Sequence, residues 1–417
     1  MPLALSDTER SMLAGDEGPA VSMAMRVVTR TAASMAAPAL LDITGAHVDG
    51  CLYHGRAGLD LAERLVDLGG AVRVPTTLNV GSIDLLHPGL VRMPPPRAAE
   101  ARRLMDAYVA LGCRPTWTCA PYQLPERPAF GAQLAWAESN AIVFANSVLG
   151  ARTERYGDFM DVCCAITGRA PAVGLHTDEG RRATIVIDVV DVPEPLARST
   201  AGLAALGHVV GERTGRQVVV VSGLPPSLTE DGLKALGAAA ASSGSVALVH
   251  VVGSTPEAPS VDAVATATAE RQVVTSEDLR AARDALTTAR HASIGAVCLG
   301  TPHASVDELR AITVLVERVG APSVPCYVNT SRAALAAFDG GDEFLRDAGV
   351  TVVTDTCTYV TPILHRVEGA VMTDSAKWAW YAPGNLGYEV VFGTTEECLR
   401  SAASGSVWRD ALLWGDA

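Results

Sequence analysis

Runs of apolar residues alternate along the chain with segments of 3.6-residue periodicity, the pattern of an α/β protein. Near the N-terminus Ser6 and Glu9 have the S-x-x-E spacing of a capping box. Pro19 suits the first turn of a helix carrying Val21, Met25 and Val28. The pattern then predicts strands at 39–44, 71–76, 115–118 and 141–145, and helices at 58–68, 98–111 and 130–139. A buried strand follows at 183–190. Strand 217–221, helix 230–241 and strand 246–252 come next, and the Ser/Pro/Thr-rich stretch 253–268 reads as a surface connection.

A cleaner doubly wound segment begins at helix 277–290. It continues through strand 293–299, helix 306–319, strand 323–328, two short helices and strand 350–354. Short strands at 370–373 and 388–392 and two helices complete the chain. These elements divide into an N-terminal α/β domain (1–214), a small α/β segment (215–270) and a C-terminal α/β domain (271–417).

Composition narrows the function classes. The 417 residues hold 33 Lys+Arg against 46 Asp+Glu, a net charge of −13, which argues against a nucleic-acid footprint. With 48% hydrophobic and 19% charged residues the chain can bury large cores. No apolar run spans a bilayer and the N-terminus has no secretory pattern, so a cytoplasmic address is expected. The nine cysteines are then reduced thiols rather than a disulfide framework, and no CxxC pair marks a zinc site. The phosphate loop, the dinucleotide fingerprint, HExxH and GxSxG are all missing.

Open α/β sheets bind ligands at the carboxyl ends of their strands. Cys119, Cys298 and Cys357 each fall at or beyond a predicted strand end, whereas Cys163, Cys164 and Cys398 fall on predicted helices and Cys326 in mid-strand. Three converging thiolates could hold an iron–sulfur cluster with one iron open. The alternative is that they are ordinary buried cysteines. Five polar, glycine-containing segments also follow predicted strands: HVDGCLYHG with His47 and Asp49, TTLNVGSIDLLH with Asn79 and Ser82, ANSVLGARTERYGDF with Ser147 and Arg152, GTPHAS with His303, and MTDSAKWAWYAPG with Ser375 and Lys377. Each alone could be turn chemistry; all five at strand ends point to a site. Only two of the 33 bases are lysines. Lys377 lies in one of these segments, while Lys234 is expected on the solvent face of an amphipathic helix.

On these stretches, together with LAGDEGPAVSMAMR, TWTCAPYQLPERPAFG and DTCTYVTP, the chain resembles the large subunit of the aconitase X family from about residue 11 to 390. The resemblance implies α/β domains arranged as in aconitase around an iron–sulfur cluster, with nuclearity (2Fe–2S, 3Fe–4S or 4Fe–4S) left open. It also implies a small swivel domain, here expected as a separate partner subunit because 417 residues leave no room for it.

The family dehydrates cis-3-hydroxy-L-proline or mevalonate 5-phosphate, and the first activity is the expectation for this chain. A heterodimer is more typical of the second, and a non-catalytic amino-acid-binding α/β protein is the alternative of another class. Cys119, Cys357 and Cys298 are the implied cluster ligands. The archaeal pattern reads GCPH where this chain has GTPH, so Thr301 occupies a cysteine position. Lys377 and Ser375 are the catalytic candidates. His47, Asp49, Asn79, Ser82, Ser147, Arg152 and His303 are the substrate-binding candidates, and the base is expected on the partner.

Overall fold

In a computed structural model, residues 3–415 are described, and they form two compact units. The first comprises the chain to Ile83 and residues Met93–Arg182; the second comprises Asp84–Arg92 and Ala183–Ala417.

The first unit contains helices α1 (Asp7–Ala14) and α2 (Pro19–Ser34), strands β1 (Leu40–Asp42) and β2 (Gly45–Val48), and helix α3 (Arg56–Asp67). Strand β3 (Thr76–Leu78), helix α4 (Pro95–Ala110), strand β4 (Leu134–Trp136), helices α5 (Ser139–Ser147) and α6 (Met160–Thr167), and strand β5 (Arg169–Pro171) follow. The Ser6–Glu9 capping box forms, and Pro19 opens α2. Strands β3-β2-β4 make a parallel sheet, so the segments after them emerge at one edge. Strand β1 pairs antiparallel with β5.

Two predicted elements exchange identity here. Residues 130–139 were expected as a helix but carry β4, and the expected strand 141–145 lies inside α5. The run AIVFA is apolar on every side, and such a run fits a buried helix as well as a strand. Glu138 settles it locally, its carboxylate accepting the Ala141 backbone N–H at 2.9 Å as an N-cap. The expected strand 115–118 is irregular. Trp117 has φ +43°, and the Thr116 hydroxyl rather than a backbone group accepts the Leu78 N–H at 2.9 Å.

The second unit starts with strand β6 (Ala183–Val189), helices α7 (Glu194–Arg198) and α8 (Thr200–Thr214), strand β7 (Val219–Ser222), helix α9 (Glu230–Gly244) and strand β8 (Val249–Val251). Helix α10 (Val261–Val264) and strand β9 (Ala265–Val274) occupy much of the stretch expected as a connection. Strand order is β8-β7-β6-β9, all parallel. The sequence-based boundaries at 214/215 and 270/271 would cut β6 from its neighbour β7 and divide β9. The compact units divide at 83/84, 92/93 and 182/183.

Beyond helix α11 (Ser276–Ala285) come strand β10 (Ile294–Ala304), helix α12 (Val306–Val319), strand β11 (Cys326–Thr330), helices α13 (Arg332–Ala337) and α14 (Gly341–Asp347), and strand β12 (Val350–Val353). Strand β13 (Ala370–Thr373), helix α15 (Ala376–Leu386), strand β14 (Val390–Phe392) and helix α16 (Thr395–Ser404) complete the sheet β12-β11-β10-β13-β14, again parallel. Its core packs Val297, Leu299 and Val328 against Leu309, Ile312 and Leu399, each side chain contributing about 1.5–3 kcal/mol. The chain winds from β10 to one side through β11 and β12, then crosses back to β13 and β14. The crevice between β10 and β13 is therefore the topological switch point, where such sheets bind ligands.

Candidate active site

In the second unit the strand ends converge on that switch point. Past Leu299 the register of β10 shifts, and Gly300, with φ +75°, lies so close to the Asn329 carbonyl that a Cβ would approach it to 2.3 Å. Only glycine fits there. The GTPHAS segment turns over the sheet end, and Ser305 caps α12, its hydroxyl accepting the Glu308 N–H at 3.1 Å. His303 is fully buried, and its Nε2 lies 3.2 Å from the Thr356 carbonyl. A carbonyl only accepts, so Nε2 carries the proton and Nδ1 the lone pair. Burial pushes the ring pKa down to about 4, so the imidazole is neutral at physiological pH.

One residue past Thr356, the Cys357 thiol is also fully buried, and ligand atoms of His303 and Cys357 lie within 4.8 Å of each other. A neutral imidazole anchored through its second nitrogen beside a thiol is a donor pair suited to iron, and backbone-carbonyl support is usual for a metal-bound histidine. Cys298 is absent from this grouping. It lies inside β10 rather than at its end, because that strand runs on to Ala304. The thiol of Cys298 bonds Thr358, and burial pushes its pKa up.

The turn carrying Cys357 is held by residues that sequence patterns did not single out. Asp84 accepts the Thr354 N–H at 2.8 Å and its hydroxyl at 3.0 Å, pinning the IDLLHPG segment to the end of β12. Asp355, at φ +60°, makes a two-point ion pair with Arg332 at 2.6 Å on both oxygens. Asn329 donates to the Leu299 carbonyl at 2.9 Å and accepts the Thr358 N–H at 3.0 Å. The signal available was Asn-Thr-Ser directly after a predicted strand, the same signal that singled out the other loops.

On the other side of β10 a cavity of about 130 Å³ occupies the crevice, lined among others by Thr301, Asp374, Ser375 and Lys377. Ser375 caps α15, accepting the Trp378 N–H at 3.1 Å. Lys377, at the second position of that helix, is only 3% exposed, with its ammonium 5.9 Å from the Tyr359 ring centre. Lys234 lines the same cavity and is equally buried, which corrects its expected place on a solvent face. The apolar periodicity around it reads as amphipathic, but α9 is itself built largely of alanine and glycine and is buried at most of its positions from Gly232 to Ala241.

The first unit gathers its own candidates at the carboxyl ends of β2 and β3. Asp49 is bonded by Asn79, and its N–H donates to Asp161 at 2.7 Å. Burial, reinforced by Glu138, Asp158 and Asp161, pushes the Asp49 carboxyl well above its ordinary range. Ser82 accepts the Tyr53 N–H at 2.7 Å. His47 bonds Thr77 through Nδ1 at 2.8 Å and packs against Trp136, while its buried Nε2 has no partner. Burial lowers its pKa to about 3. Cys119 is buried, and its carbonyl accepts from Asn140, which also bonds Tyr122 at 2.6 Å. Ser147 ends α5. Arg152 is drawn aside: it pairs with Asp178 and donates to the His176 carbonyl at 3.3 Å. A larger cavity of about 420 Å³ is bounded by Thr44 and Pro75, at the opposite, amino end of the strands.

Comparison with known proteins places the chain. Family models described as the first, third and second domains of aconitase X match residues 2–179, 294–404 and 183–284. A cis-3-hydroxy-L-proline dehydratase of Pseudomonas aeruginosa is 41% identical over 405 residues, covering 95% of this chain and 69% of that protein. A phosphomevalonate dehydratase large subunit of Methanothermobacter thermautotrophicus is 36% identical, covering 93% of this chain and 96% of that one. The holo-form crystal structure of Thermococcus kodakaraensis aconitase X superposes with a TM-score of 0.87 at 33% identity, over 96% of this chain and all of that one. The chain belongs to the aconitase X family and is a hydro-lyase of that family.

Proposed function

We propose that the chain dehydrates cis-3-hydroxy-L-proline to Δ1-pyrroline-2-carboxylate at the strand ends described above. The observation that carries this reading is the buried His303–Cys357 donor pair beside a switch-point cavity lined by Lys377 and Ser375. The substrate follows the likeness to the Pseudomonas aeruginosa dehydratase, the most similar of the relatives named above.

The donor set fits an iron–sulfur group. Cys357 and His303 are proposed ligands from their geometry. Cys119 is proposed as a further thiolate from the resemblance, and Thr301 cannot serve as one. Such a group, when bound, supplies a Lewis acid for a leaving hydroxyl. The chain's own residues do the rest. Lys377 presents a buried ammonium to a substrate carboxylate, where its low-dielectric surroundings strengthen the attraction. Ser375 fixes the first turn of α15 and so aims Lys377. Asp49, held by Asn79 and with its carboxyl pushed up by burial and neighbouring carboxylates, is proposed as a substrate-binding group in the first unit. His47 and Ser82 stand at or just beyond the ends of β2 and β3, Ser147 at the end of α5, all in the same unit, and Arg152 takes a supporting role through Asp178. The base, and the small swivelling part of the enzyme, are proposed to come from a partner subunit.

The alternative substrate is mevalonate 5-phosphate, favoured by likeness to large subunits along nearly their whole length. The iron-loaded chain with its small subunit should turn over cis-3-hydroxy-L-proline and leave mevalonate 5-phosphate untouched. The reverse preference sinks the assignment of substrate. Binding of the amino acid without turnover would make this a non-catalytic binding protein.

A further inference from the structure

The mechanism above uses Lys377 and leaves the chain's other lysine unexplained. Lys234 stands on α9 with its ammonium buried, facing three acceptors: Asp231 Oδ1 at 3.0 Å, the Glu308 carboxylate, and the His303 carbonyl at 3.5 Å. The same carboxylates hold the end of the GTPHAS segment. Glu308 accepts the Ser305 N–H at 2.8 Å, and Asp231 accepts the Ser305 hydroxyl at 2.8 Å. One ammonium therefore bridges both groups that fix Ser305 and touches the backbone of His303 directly.

Stability alone does not explain this arrangement. Taking an ammonium and its partners out of water is costly, and well-packed apolar residues in their place are often neutral or better. Nor is it a composition effect, since 33 − 2 = 31 of the cationic residues are arginine. A planar guanidinium fork does not match three acceptors disposed around one point, whereas a compact ammonium does.

We propose that Lys234 is a positioning residue that holds His303 against Cys357 by clamping the GTPHAS segment from α9. The role rests on the reading above that His303 and Cys357 face the iron–sulfur group. Outer partners of metal-bound residues of this kind typically change metal affinity or activity about 10–100-fold when removed.

The test uses the full chain with two variants. Lys234→Met/Glu308→Gln removes a charge of each sign, and Lys234→Arg keeps the charge but changes its shape. Two readouts are taken. One is retention of iron against a chelator, with the visible spectrum, after anaerobic loading with iron and sulfide. The other is the His303 Nε2–H resonance and its exchange with solvent in chain without iron. Both variants should lose iron about 10–100-fold more readily. In both, the His303 proton should exchange faster than in the wild type. A folded variant with wild-type iron retention and a wild-type His303 resonance overturns the clamp. Should the double variant not fold, Lys234→Arg decides on the same two readouts. If wild-type chain takes up no iron, the cluster reading fails, and the His303 resonance alone then decides for or against the clamp.

Discussion

Buried charge at single residues sets two expected outcomes. Asp161 lies in the first turn of α6, accepting the Asp49 and Val162 N–H groups at 2.7 Å each, yet burial pushes its pKa from 3.8 to about 7. Its folded-state pKa lies above its unfolded value, so its contribution to stability is full below pH 3.8 and is lost as pH rises through about 7. A shift of that size corresponds to about 4 kcal/mol at most. Asp161→Asn should flatten the fall in unfolding free energy between pH 4 and 8, read from denaturant titrations of the two proteins. An unchanged slope would mean that Asp161 titrates normally. Lys377→Met should lower kcat/KM about 10²–10³-fold, the scale of losing one buried electrostatic contact to a reacting group. Lys377→Arg should not restore it, because the enclosed site fits a point charge rather than a fork. Full activity in either variant removes Lys377 from the mechanism.

At the scale of elements, the seating of α9 depends on glycines. Helices α8 and α9 pack so closely that a Cβ on Gly207 would lie 2.1 Å from the Leu236 carbonyl. Gly207→Ala must push the helices apart, costing about 1–3 kcal/mol of stability and moving Lys234 with α9. A thermal melt that matches wild type would show the pair to be more compliant. Small residues also explain why Lys234 could not be placed from sequence. Helical periodicity reports an apolar stripe, but a helix rich in alanine and glycine is buried without one. The doubly wound segment was the most legible part, because apolar runs and helical periodicity alternate cleanly there. Residues 130–145 were misread because length, caps and periodicity all left helix and strand open there. Polar, glycine-containing loops after strands could be read from the sequence, but side-chain pairing could not. His303 pairs with Cys357 across 54 residues of sequence (357 − 303), and no local spacing encodes that.

For the molecule as a whole, three family domains account for nearly the full length, and their parallel sheets present polar segments at their strand ends. Among the described residues no helix is long and apolar enough to cross a membrane. Dehydration by this chain is proposed to depend on the group centred on Cys357. The direct measurement is formation of Δ1-pyrroline-2-carboxylate from cis-3-hydroxy-L-proline by anaerobically iron-loaded chain with its small subunit, beside Cys357→Ala prepared identically. Coloured, iron-containing wild type that forms product, and a colourless variant that forms none, is the predicted result. Product formation by Cys357→Ala at the wild-type rate, or by wild type free of iron, would contradict it.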